Sequence, residues 1–335
     1  MHILVTGASG FVGAALAPQL IAEGHHVRAL SREPARATRA LALQAQASSP
    51  LRAAAAIDAT PDPPGAIEVI RGDVLTGEGL EQALEDVEVA YYLIHSMERP
   101  PTGVSHERTF PERERRSALN FATAARRAGI ERIVYLGGLL PHDSAPVSPH
   151  LASRETVEGI LLEHIPGSVA LRSSIVIGAR SRSLRLLVRL VERLPVLALP
   201  PWRRFRTQPI DARDTIEMLA AAAHAPGVAG RSLDIGGPEA LTYEELIQRI
   251  TELLLLRRPT LSIGISATPL TARLAAALAG EDPELIMALM GGLQSDLLPA
   301  ADHTAELLGV QLHSLDAAIE HALREWEAIE PLAAR

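Results

Sequence analysis

Short apolar runs alternate with amphipathic stretches through the first half of the chain. Ile3, Leu4 and Val5 have the composition of a strand buried on both faces. From Phe11, apolar residues (Val12, Ala15, Leu16, Leu20, Ile21) recur at helical spacing as far as Glu23-Gly24. Further strands are predicted at His26–Ser31, Ala66–Ile70, Val89–Ile94, Arg132–Leu136 and Ser168–Arg172. Helices are predicted between them: Pro34–Gln46, Gly79–Leu84, a segment from Glu112 through Leu119, Phe121 and Ala125 to Ala128, and Pro149–His164. Such alternation means right-handed βαβ units, and so an α/β fold with a doubly wound parallel sheet of the Rossmann kind.

The pattern changes after Ile177-Gly178. Leu184–Leu199 reads as one amphipathic helix studded with Arg185, Arg189, Glu192 and Arg193, fitted to cover a pocket or a subunit interface rather than a membrane surface. A helix at Arg213–His224, a strand at Ser232–Ile235, a Thr242/Glu245 capping box opening a helix to Leu256, and an amphipathic helix at Leu315–Ala328 follow. The expected organisation is a dinucleotide-binding domain over residues 1–165, with 48–65 an exposed connection. Residues 166–335 then complete the sheet and form a smaller, mostly helical cap on the substrate side.

Composition narrows the chemistry. A net charge of −8 over 335 residues argues against a nucleic-acid partner. There is no cysteine, which removes disulfides, thiolate metal sites and cysteine nucleophiles. The histidines show no ligand spacing on a clear helix, so no metal site is expected. All 32 basic residues are arginine. A strand opening at residue 2 leaves no signal peptide to expect, and no apolar window spans a bilayer, so a cytoplasmic location is expected.

The candidate chemistry starts at Thr6-Gly7-Ala8-Ser9-Gly10-Phe11-Val12-Gly13. Between a strand and a helix, Gly7 permits a tight turn, Gly10 a close approach of backbone to a ligand, and Gly13 close packing of helix on strand. The amides and the positive end of the helix dipole then face a pyrophosphate. Ser31-Arg32 ends the second strand, where the ribose would arrive. Arg32 favours NADP(H) over NAD(H) by attracting a 2′-phosphate; Glu33 pulls the other way. Asp73 after the third strand can accept from an adenine amino group while Val74 packs on the ring; an ordinary turn cap is the competing reading.

Taken with Arg32, Asp73-Val74 and Gly236-Gly237-Pro238, the loop makes the chain resemble the short-chain dehydrogenase/reductase superfamily. Within it, the chain is similar to the extended and atypical NAD(P)H-binding group that includes the NmrA-like proteins and the complex I accessory subunit. The resemblance implies that Gly7, Ser9, Gly10, Phe11, Val12 and Gly13 carry the pyrophosphate, Arg32 the 2′-phosphate, and Asp73 and Val74 the adenine. It gives Ile94, His95 and Ser96 the nicotinamide-side ribose. The superfamily's Tyr-x-x-x-Lys pair cannot exist in a chain without lysine, and Gly137-Gly138 stands where its Ser or Thr is usual.

The helix position of that pair reads His150-Leu-Ala-Ser-Arg154, four apart and therefore on one face. His150 is the candidate proton donor or acceptor and Arg154 the anchor of a ribose or substrate oxygen, the guanidinium keeping the imidazole neutral. The expected activity is an NADP(H)-dependent oxidoreduction of a small, largely apolar carbonyl, enone or quinone-like substrate. The alternative is a non-catalytic NADPH-binding sensor or accessory protein; nucleotide-sugar epimerisation ranks third, because it too leans on the Tyr-x-x-x-Lys pair. A homodimer or a protein partner is left open.

Overall fold

The computed structural model describes residues 1–48, 67–94, 109–142, 147–262, 264, 292–301 and 303–330. The expected exposed connection therefore lies, from residue 49 on, outside the described residues, as do His95 and Ser96. Two compact units emerge, each assembled from separated stretches.

The first unit comprises Met1–Gly137, Glu155–Leu171 and Ile216–Leu233. Its strands are β1 (His2–Thr6), β2 (His26–Ser31), β3 (Ile67–Arg71), β4 (Val89–Tyr92), β5 (Arg132–Gly138), β6 (Val169–Ser173) and β7 (Arg231–Ile235). They form one sheet in the order β7-β6-β5-β4-β1-β2-β3. The β1–β2, β2–β3, β1–β4 and β4–β5 pairings are parallel, with Ile3 beside both Val27 and Val89. Chain order reverses between β1 and β4, and ligands of open α/β sheets bind at such a reversal, beyond the strand ends.

The helices are α1 (Phe11–Ala22), α2 (Pro34–Ser48), α3 (Leu80–Leu84), α4 (Phe110–Arg127) and α5 (Pro149–His164). One face of the sheet buries Leu4, Ala90, Tyr92 and Tyr135 against Phe121 and Ala125 of α4 and Val157 and Leu161 of α5. Two arginines collar helix ends. Arg28 Nη1 donates to the carbonyls of Gln82, Ala83 and Glu85 at the end of α3, while its Nε meets Glu68 at 2.9 Å. Arg132 Nη1 donates to those of Ala222, Ala223 and Ala225, and its Nε to Gly167.

The second unit comprises Gly138–Arg154, Arg172–Thr215 and Asp234–Arg335. It holds α6 (Arg182–Arg193), α7 (Ala212–Ala222, continuing into the first unit), α8 (Tyr243–Leu253) and α9 (Leu315–Ile329). Leu184, Val188 and Val191 of α6, Leu246 and Ile250 of α8, and Ile319 and Trp326 of α9 share its core.

Two expectations are corrected here. The amphipathic segment is not one helix to Leu199: α6 stops at Arg193 with Leu194 extended, and Leu197–Leu199 is a strand paired with Thr260–Ser262. Pro195 is the reason, since the residue before a proline is driven out of helical geometry. The helix at Thr242 has the expected capping box but ends at Leu253, and Leu255 takes a left-handed φ of 55°. Among the described residues no helix is long and apolar enough to cross a membrane.

Candidate functional site

In the first unit the glycines of the opening loop are where backbone atoms crowd. Gly7 has φ +69°, and a Cβ there would lie 2.7 Å from the Leu93 carbonyl oxygen. A Cβ at Gly13 would lie 2.5 Å from the Gly7 oxygen, so only glycine lets α1 approach the turn this closely. The Gly10 N–H donates to the Gly7 oxygen at 2.8 Å, closing the turn. Gly10 then begins α1 with no side chain capping it. The N–H groups of Phe11, Val12 and Gly13 are those a helix's first turn leaves without intrahelical acceptors. A bare, glycine-cleared helix start fits a pyrophosphate. Ser9, Phe11 and Val12 are half-buried around it and Gly10 is exposed.

Two residues that hold this arrangement escaped the sequence reading. Thr6 is fully buried; its Oγ1 donates to the Tyr91 carbonyl at 2.9 Å and accepts from the Leu93 N–H at 3.1 Å. It pins β1 to the end of β4 where chain order reverses. Asn120 of α4 donates to the carbonyls of Val74 and Leu75 at 3.0 and 2.9 Å, fixing the turn after β3. The only signal for either is a polar residue in an otherwise apolar pattern.

Arg32 is exposed in the bend after β2, which Ser31 closes by exchanging hydrogen bonds with Glu33. Asp73 Oδ1 accepts from the Leu75 N–H at 2.8 Å, so this carboxylate caps its own turn. Val74 is 5% exposed within the core, and Ile94 packs against the same cluster. Tyr91 is buried and its hydroxyl donates to the Leu219 carbonyl at 3.0 Å. Burial raises its pKa well above the ordinary phenol value, and it serves as a core tether.

His150 and Arg154 belong to the stretch of α5 assigned to the second unit. The helix opens at Ser148, whose carbonyl and hydroxyl accept from Ala152 and Leu151. Both candidate side chains are half-buried. Burial, and then the Arg154 charge, pull the His150 imidazole down to about 4. The direction is the expected one, but desolvation outranks the guanidinium as its cause. A Cβ at Gly138 would lie 2.8 Å from Leu151 Cδ2, so glycine here lets the first turn of α5 press on the strand end.

Residues 3–155 match the family model described as the NAD dependent epimerase/dehydratase family. That match runs from the opening strand into α5 and agrees with the resemblance to the short-chain dehydrogenase/reductases. Solved structures share its fold at low identity. UDP-glucuronic acid 4-epimerase from Bacillus cereus, held with UDP-glucuronic acid and NAD, is 18% identical at a TM-score of 0.66, covering 98% of this chain and 100% of that one. UDP-glucose 4-epimerase from Thermotoga maritima, with UDP-glucose, is 14% identical at 0.68, covering 98% and 99%. The Bordetella bronchiseptica enzyme WbmG, in complex with NAD, is 15% identical at 0.67, covering 98% and 94%. No curated protein matches the sequence. Without lysine the chain cannot form the Tyr-x-x-x-Lys pair of the superfamily it resembles.

Proposed function

We propose that this chain is a short-chain dehydrogenase/reductase that binds NADP(H) and interconverts a carbonyl, enone or quinone-like compound with its reduced form, the substrate being small and largely apolar. The observation that carries the reading is His150, an imidazole kept neutral in the helix turn that the superfamily uses for proton exchange, with Arg154 one turn on. Gly7, Ser9, Gly10, Phe11, Val12 and Gly13 would hold the pyrophosphate, Arg32 the 2′-phosphate, and Asp73 and Val74 the adenine end. Ile94, His95 and Ser96 would hold the nicotinamide-side ribose. Bound there, the nicotinamide supplies the hydride acceptor or donor. His150 takes the proton of a substrate hydroxyl in the oxidative direction, which suits a neutral base, and returns it in the reductive one. Arg154 holds the oxygen on which charge develops.

The exposed Arg32 supports NADP(H). Support for an uncharged substrate comes from the second unit, where Arg172, Arg203, Arg206 and Arg213 already face Asp234, Glu244, Asp296 and Asp211. A diphosphate would have to displace carboxylates from these cations. The family match favours a second reading, NAD-dependent epimerisation or dehydration of a nucleotide sugar.

The test is titration with NADPH, NADH, NADP⁺ and NAD⁺, followed by carbonyl and quinone panels and by UDP-glucuronic acid with NAD⁺. NADPH binding tightest and oxidised by a carbonyl or quinone is the expected result. Conversion of the nucleotide sugar would install the second reading. Tight NADPH uptake without turnover on either panel would make the protein a sensor or accessory subunit.

A further inference from the structure

Residues 296–300 form a strap in the second unit, outside any helix, and every residue of it has its own anchor. Asp296 clasps Arg206, Oδ1 accepting from the backbone N–H at 2.7 Å and Oδ2 from Nε at 2.9 Å. Leu297 donates its N–H to the Arg206 carbonyl at 2.9 Å and forms a parallel bridge with Thr207. The Leu298 carbonyl lies 2.7 Å from His142 Nε2, and because a carbonyl only accepts, that nitrogen carries the proton. Pro299 fills the space over Gly236, where a Cβ would lie 2.8 Å from its Cγ. Ala300 donates to Asp234 Oδ2 at 2.9 Å.

What this strap presses on is the first turn of α5. Leu297, 7% exposed, packs with Leu139, just after β5, and with Leu151, the neighbour of His150. Leu151 is thus gripped by Leu297 and by the strand end, where Gly138 gives it room. From this geometry we infer that Leu297 is a positioning residue for His150: the strap holds the α5 first turn down and keeps water from the imidazole. The inference rests on the reading of His150 as the proton-exchanging group given above. The low pKa of His150 agrees with it, since burial is the largest cause and the Arg154 charge the next.

The test is an NMR pH titration of the His150 ring in the full chain, followed by long-range ¹H–¹⁵N correlation. Leu297→Ala empties the contact with Leu151, and the midpoint should rise from about 4 by about one pH unit. The volume-conserving Leu297→Met should stay near the parent value. Should Leu297→Ala fail to fold, Asp296→Asn loosens the strap from its surface end and should move the midpoint the same way by less. Ile250→Ala, which empties the core of the same unit elsewhere, should leave the midpoint unmoved. NADPH affinity should stay within about twofold in each variant, as Leu297 and Asp296 lie outside the nucleotide loop. An unmoved midpoint in both strap variants overturns the inference, and so does an equal rise in Ile250→Ala. If His150→Gln keeps full turnover while Leu297→Ala still raises the midpoint, the positioning stands and the functional reading falls.

Discussion

The loop from Gly7 to Gly13 is shaped by side chains that are missing, whereas the turn from Pro149 to Arg154 is shaped by side chains that arrive from far along the chain. At Gly7 and Gly13 an added Cβ would meet backbone oxygen at 2.7 and 2.5 Å. At the α5 turn, Leu151 is wedged by Leu139 and Leu297, and His150 is held neutral mainly by burial. The first device is local, so residue identity alone enforces it. The second depends on tertiary packing, and small repacking elsewhere can retune it.

The two devices should separate most widely under His150→Gln, which is expected to lower turnover on a responsive substrate by about 10²–10⁴-fold while leaving the dinucleotide Kd unchanged. Steady-state kinetics beside calorimetric titration checks this; parallel losses in both would merge the two regions into one. Gly13→Val strikes the other region. Its side chain must displace the Gly7 carbonyl, so unfolding free energy should fall by about 3 kcal/mol and nucleotide uptake with it, read from denaturant midpoints and titration.

Proton linkage sharpens the contrast. The folded protein holds His150 near 4 while the unfolded chain has the ordinary value near 6.5, so the unfolded state binds the proton more readily. Stability from this group is complete above pH 6.5 and is lost as pH falls toward 4, by up to about 3 kcal/mol. His25 and His321 are lowered too and act with the same sign, so the measurement is the difference between parent and His150→Gln across that window. Thr6→Val should cost about 2 kcal/mol in the same denaturation assay, because it removes the partner of the part-buried Leu93 N–H and of the buried Tyr91 carbonyl. The smallest effect is Arg32→Glu, expected to weaken NADPH about tenfold and leave NADH nearly unchanged in fluorescence titrations.

The legibility of each region follows from the same physics. Glycine spacing, the strand before it and the helix after it are short-range facts, and α1, β2 and α5 lie where hydrophobic periodicity puts them. Thr6 and Asn120 could not be read, since their partners lie 85 and 46 residues away and only folding brings them together. The strap was equally hidden: Asp-Leu-Leu-Pro-Ala has no period, and its meaning comes from Arg206, His142 and Asp234. Where the sequence misled, an apolar run continued past a real stop, as at Leu194-Pro195. Asp73 shows a third case, in which the residue sits where the motif asks and yet caps its own turn.

The arginine collars bear on how this molecule meets acid. Arg28 and Arg132 each gather three carbonyls at the C-terminal end of a helix with one Nη1 and still spend Nε on another acceptor. A lysine ammonium has no such second, rigidly placed donor, and a guanidinium does not lose its proton in the range where proteins survive. The bonds from these guanidinium groups to helix-end carbonyls therefore persist as pH drops, and the weakening should begin at the imidazoles.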